Sequence, residues 1–168
     1  MIAVMGPPVI RKENTYLLIK SRIMNKINFE IIINAPRQKV WDVLWGETSY
    51  PEWTSVFSEG SHIITDYKKG SKVLFLDGKG QGMVSRIAEH IPPEYMSFEH
   101  LGFVKDGIED TESEEVKKWS GLHENYKLDE VNGKTRLQVD MDITEDFKDY
   151  FQNTWPKAMV RIRDLSEN

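Results

Sequence analysis

The chain has 168 residues and a mass of 19.6 kDa, the size of one ordinary domain able to bury its own core. Its 39% hydrophobic, 11% aromatic and 29% charged residues exclude a disordered chain, and the absence of cysteine excludes a disulfide framework, thiolate zinc sites and a cysteine nucleophile. The net charge of −5 sets the field of the whole molecule against phosphate backbones and anionic lipid. No apolar run approaches the roughly 18 residues of a spanning helix, and Pro7 and Pro8 interrupt the stretch a signal peptide would need. The expectation is therefore a cytoplasmic protein with no nucleic-acid partner and no membrane insertion.

Residues 1–26 form a basic extension, with Arg11, Lys12, Lys20, Arg22 and Lys26 against Glu13 alone. Two readings stand open for it. It is a frayed tail or extra edge strand at TYLLI (15–19), or Met24 is the true start. Residues 27–168 form the single domain. INFEIII (27–33) reads as a strand because it is rich in β-branched residues, and Asn34, Ala35 and Pro36 end it. Pro36 then opens a helix in which Val40, Val43 and Leu44 recur at helical spacing up to Gly46. A second short helix is expected over SYPEWTSVF, with Ser49 as its cap and Gly60 as its close.

Beyond Gly60 the period changes to two. Strands are expected at 61–67, 71–77, 82–90, 94–101, 119–130 and 134–143, joined by turn chemistry at Lys69-Gly70, the glycines at 78, 80 and 82, and Pro92-Pro93. Asn132-Gly133, between two alternating runs, is the strongest hairpin signal. The acidic stretch 103–118 reads as a solvated, mobile loop. From Thr144 the period returns to 3.6, and Phe147, Phe151, Trp155, Ala158, Ile162 and Leu165 form one stripe of a helix that Pro156 should kink. The fold class is α+β: a seven-stranded antiparallel sheet with two short helices between strands 1 and 2, burying one face against the long C-terminal helix.

Four segments in this order, INAPRQKVWDVLWGETSYPEW (33–53), DYKKGSKVLFLDGKGQGMVSRIAEHIPPEYMSFEH (66–100), NGKTRLQVDMD (132–142) and TWPKAMVRIRDL (154–165), resemble the START-like helix-grip superfamily, also called SRPBCC, and within it the heat-shock-protein ATPase-activator homology branch. The resemblance implies a curved sheet gripping the last helix with a cavity between them. It also implies two classes of partner, a small hydrophobic molecule in that cavity or a chaperone.

Closing the hairpin at Asn132-Gly133 sets Leu128, Tyr126 and Glu124 opposite Leu137, Val139 and Met141, on the inward face. Met96, Phe98 and His100 share a face by the same parity. A buried His100 and Glu124 suit polar anchoring of a ligand or general acid/base chemistry. The alternatives are that a bulge turns either outward or that the two only pair with each other. The expected ligand contacts are Trp53, Phe75, Phe98, His100, Glu124, Tyr126, Trp155 and Met159. No catalytic residue, metal or cofactor is assigned, since His62, His90, His100 and His123 lack ligand spacing and no serine sits in a nucleophile elbow. A cyclase or hydrolase using His100 and Glu124 stays open as an alternative, as does monomer against homodimer. Trp41 and Trp45 are assigned to packing, and Trp53 to the cavity entrance.

Overall fold

The computed structural model describes residues 24–168. The expectations for residues 1–23 lie outside the described residues. The elements run β1 (Met24–Ile33), α1 (Arg37–Trp45), α2 (Ser49–Thr54), β2 (His62–Ile64), β3 (Lys72–Leu76), β4 (Gly82–Ile91), β5 (Tyr95–Lys105), β6 (Ile108–Asp110), β7 (His123–Val131), β8 (Lys134–Thr144) and α3 (Lys148–Glu167). The strand order is β1-β8-β7-β5-β4-β3-β2, with β6 beside β5 and every pair antiparallel.

The turn chemistry fixes the register where it was expected to. Asn132 and Gly133 both take positive φ, 51° and 76°, the backbone of a two-residue turn whose twist matches the flanking strands. Leu128, Tyr126 and Glu124 accordingly face Leu137, Val139 and Met141. On β1, Ile27, Phe29 and Ile31 meet Met141, Val139 and Leu137, so one apolar row crosses three strands. α3 covers that row. Its Phe151, Trp155, Ala158, Met159 and Ile162 are buried in the same core as Val40, Trp41, Val43 and Leu44 of α1. The helix runs through Pro156, which leaves the Gln152 carbonyl without its helical donor.

Three details differ from the sequence reading. The sheet has eight strands instead of seven, because the acidic connection is folded: Asp106 and Gly107 make a tight turn at φ 53° and 75°, and β6 pairs back onto β5. Farther along, the Asp110 carboxylate accepts the amides of Glu112 and Ser113, and Val116 is buried in a short 3-10 turn. The second strand shrinks to three residues, since Tyr67 adopts φ 58° and breaks the extended run. Ser49 does not cap α2; its hydroxyl donates to the Val43 carbonyl of α1 at 2.8 Å, and Thr48 holds the cap position. Gly46 ends α1 at an ordinary negative φ; glycine is required there for space, because a Cβ would lie 2.5 Å from Ser49 Oγ and 2.6 Å from the Asp42 carbonyl oxygen.

Candidate functional site

The inner face of the sheet carries a row of polar side chains across three adjacent strands. Ser85 on β4 lies opposite His100 on β5, and Glu124 on β7 lies opposite Phe98, one diagonal step from His100. All three polar residues are fully buried. Ser85 Oγ is 2.8 Å from His100 Nδ1, and His100 Nε2 is 3.2 Å from Glu124 Oε2. The Tyr126 hydroxyl donates to the other carboxylate oxygen of Glu124.

Electrostatics assign the protons. Burial pushes the His100 imidazole down, against the pull of Glu124, so the ring is neutral near pH 7. Burial drives the Glu124 carboxyl up, but a nearby positive charge, followed by the hydrogen bond from the His100 N–H, brings it net below the usual carboxylate range, to about 2. A charged Glu124 is acceptor-only, which puts the imidazole proton on Nε2 and leaves Nδ1 to accept the Ser85 hydroxyl. Burial, followed by the charge of Glu124, pushes the Tyr126 and Tyr50 phenols well above their ordinary range, so both stay protonated.

Aromatic rings surround this row. Phe75 packs on Phe98 at 5.0 Å and on His100 at 6.2 Å between centroids. Tyr126 lies 6.3 Å from Phe98 and 6.1 Å from Trp155, and Trp53 lies 6.2 Å from Trp155. Seven of the eight expected contact residues therefore form one connected chain of side chains. Met159 belongs to the same core.

Trp53 is placed differently from its expected position at an entrance. It is wholly buried, with its indole N–H donating to the Leu44 carbonyl at 3.2 Å. Trp45, assigned to packing, is half-buried and meets Phe98 at 5.4 Å, Tyr126 at 4.9 Å and Tyr50 at 6.5 Å. Sequence reasoning missed Ser85, Tyr50 and the inward reach of Trp45. Alternation conceals Ser85, because Gly82, Met83, Val84 and Ser85 are all buried in succession beside a register shift between Val84 and Ser85.

Three of these aromatic side chains leave a hydrogen-bonding atom unused. Tyr50 Oη, Trp45 Nε1 and Trp155 Nε1 are buried and have no hydrogen-bond partner among the described residues. Buried polar atoms are nearly always satisfied, each unmade bond costing on the order of 1–3 kcal/mol. Three such atoms on rings that touch the Glu124–Tyr126 group, directly or through one neighbour, make an interior rich in idle donors. Among the described residues, no cluster of His, Asp or Glu could hold a metal ion, and no helix is long and apolar enough to cross a membrane.

Comparison with solved structures identifies the architecture. The chain has the helix-grip fold. It is similar to the Aha1 dimer from Colwellia psychrerythraea, with a TM-score of 0.65 and 20% identity over 85% of this chain and 96% of that one. It is also similar to CalU16 from Micromonospora echinospora, with a TM-score of 0.59 and 15% identity over 84% and 75% of the two chains. DynU16, a protein of the dynemicin biosynthetic locus, matches with a TM-score of 0.61 and 15% identity over 83% of this chain and 46% of that one. No family model matches the sequence, and no curated protein does.

Proposed function

We propose that the protein binds a small, largely apolar molecule carrying acceptor oxygens, held between the inner face of the sheet and α3. The observation that carries this reading is the set of buried donors without a partner among the described residues, Tyr50 Oη, Trp45 Nε1 and Trp155 Nε1. An indole N–H can only donate, so two of the three call for an acceptor. Apolar walls with a few convergent polar groups are the usual make-up of a ligand site. Trp53, Phe75, Phe98, Tyr126 and Met159 supply the apolar surface in this reading, and His100 with Glu124 anchors a polar end.

Native mass spectrometry of the gently purified protein, with 8-anilinonaphthalene-1-sulfonate as a probe, tests the reading. The expected result is an adduct mass or saturable one-to-one probe binding that weakens several-fold in Tyr50→Phe. Apo mass alone, no saturable probe binding and micromolar affinity for a chaperone would favour an interaction module instead.

One observation favours a second reading, acid/base catalysis on the bound molecule. Ser85, His100 and Glu124 form a hydrogen-bonded chain in which a neutral imidazole is oriented by a carboxylate, the arrangement of an activated hydroxyl. Turnover lost in both Ser85→Ala and His100→Asn, with folding and probe binding retained, would be required for it.

A further inference from the structure

On its outer side, Trp45 forms one wall of a concavity. This cleft of about 350 Å³ opens to solvent between α1, the β2–β3 connection and the end of β4, and rings make most of its wall. Trp41 meets Trp45 edge-on, with centroids 6.1 Å apart and planes at 71°. His90 stacks on Trp41 at 5.7 Å and 15°, and Tyr67 stands 6.4 Å from His90. The Tyr67 hydroxyl donates to the Trp45 carbonyl at 3.3 Å, so the arc of four rings closes on itself.

Charge follows the same pattern. Asp42 lines the cleft from the exposed face of α1, where Gln38 Nε2 holds its carboxylate at 2.8 Å. Among the described residues, no lysine or arginine lines it. The fold also bears a local cost to present these walls, since Tyr67 sits at φ 58°, a conformation unusual for an aromatic residue. Gly46 keeps the floor open at a position where any side chain would collide with Ser49 and the α1 backbone.

Aromatic faces carry negative potential, and a carboxylate at the rim adds a full charge. Such a site selects a large, weakly hydrated cation over either an anion or a small hydrated ion. We propose that this cleft binds a quaternary ammonium group of the choline type, at a site separate from the interior described above.

The test is titration of the full chain with choline chloride, followed through the indole N–H resonances of Trp41 and Trp45. A parallel titration uses 3,3-dimethylbutan-1-ol, the uncharged isostere of choline. Saturable shifts with choline and roughly tenfold weaker binding of the alcohol are expected, the difference a desolvated cation–π contact supplies. Asp42→Asn, an exposed substitution that leaves the core alone, should weaken choline several-fold and leave the alcohol unchanged. Equal affinity for choline and the alcohol, or no saturable shift with choline, overturns the proposal. Vesicles of phosphatidylcholine identify the source of the group. Co-sedimentation competed by choline supports a lipid head group as the natural ligand, and choline binding without co-sedimentation supports a free cation.

Discussion

Replacing Tyr50 by phenylalanine should make the ligand-free protein more stable. The side chain is 2% exposed, with its ring fixed between Trp45 at 6.5 Å and Trp53 at 5.4 Å, contacts that phenylalanine keeps. Only the hydroxyl is lost, and it is buried without a hydrogen-bond partner among the described residues. A buried hydroxyl left unpaired costs about 1–3 kcal/mol relative to its hydrated state, and removing the oxygen recovers that amount less the small gap left behind. For a domain of this length each kcal/mol moves the melting temperature by roughly 2–4 °C, so a rise of about 2–8 °C is expected. Thermal unfolding followed by near-UV circular dichroism, with protein stripped of ligand, reads it directly. The same substitution should weaken probe binding, which separates a donor kept for a ligand from a packing defect. A Tyr50→Phe protein that melts at or below the parent temperature refutes the reasoning, because the hydroxyl must then be satisfied in the apo state.

Acid should destabilise the fold in two stages. His100 is held below its ordinary 6.5, so the unfolded chain takes up a proton first and stability falls as the pH drops below about 6.5. Glu124 is held below its ordinary 4.5, so its contribution is present above that pH and is lost as the pH falls through its lower folded value. Urea midpoints at pH 5 and pH 7 should therefore differ, and the difference should shrink in His100→Gln; an unchanged difference counts against a neutral buried imidazole. Trp53→Ala should cost about 3–5 kcal/mol, because the indole is fully buried and its N–H bond to Leu44 is lost with it. Equilibrium denaturation checks this, and a loss under 1 kcal/mol would mean that the side chain is less tightly packed than described. Gly133→Val should cost on the order of 1–3 kcal/mol through strain at φ 76°, measured by the same denaturation; a neutral result would show that the turn can change type.

The buried histidine and glutamate were legible because parity propagates cleanly from a well-defined turn. Asn132-Gly133 fixes the pairing of β7 with β8, and Glu124 lies an even number of residues from it on a strand without a bulge. Ser85 was not legible. Its strand breaks alternation, and the register shift beside it depends on how β4 bends against β5. The strand at Ile108–Asp110 was hidden for a different reason: dense acidic composition outweighed an Asp106-Gly107 turn that was present in the sequence. The idle donors on Tyr50, Trp45 and Trp155 could not be read at all, since whether a buried atom finds a partner depends on residues distant in the chain. Trp53 shows the limit of reasoning from segment order, which found its helix but set the side chain at an entrance, where the structure buries it completely.

Trp45 stands between the packed interior and the outer cleft, touching Phe98, Tyr126 and Tyr50 as well as Trp41. A single rigid ring cannot be moved on one side alone. If both proposed sites are occupied, whatever factor an occupant of the cleft applies to affinity in the interior, by shifting or pinning that indole, an occupant of the interior must apply in equal measure to affinity in the cleft. One side chain four residues beyond Trp41 on the first helix thus ties the outer surface of the molecule to its core.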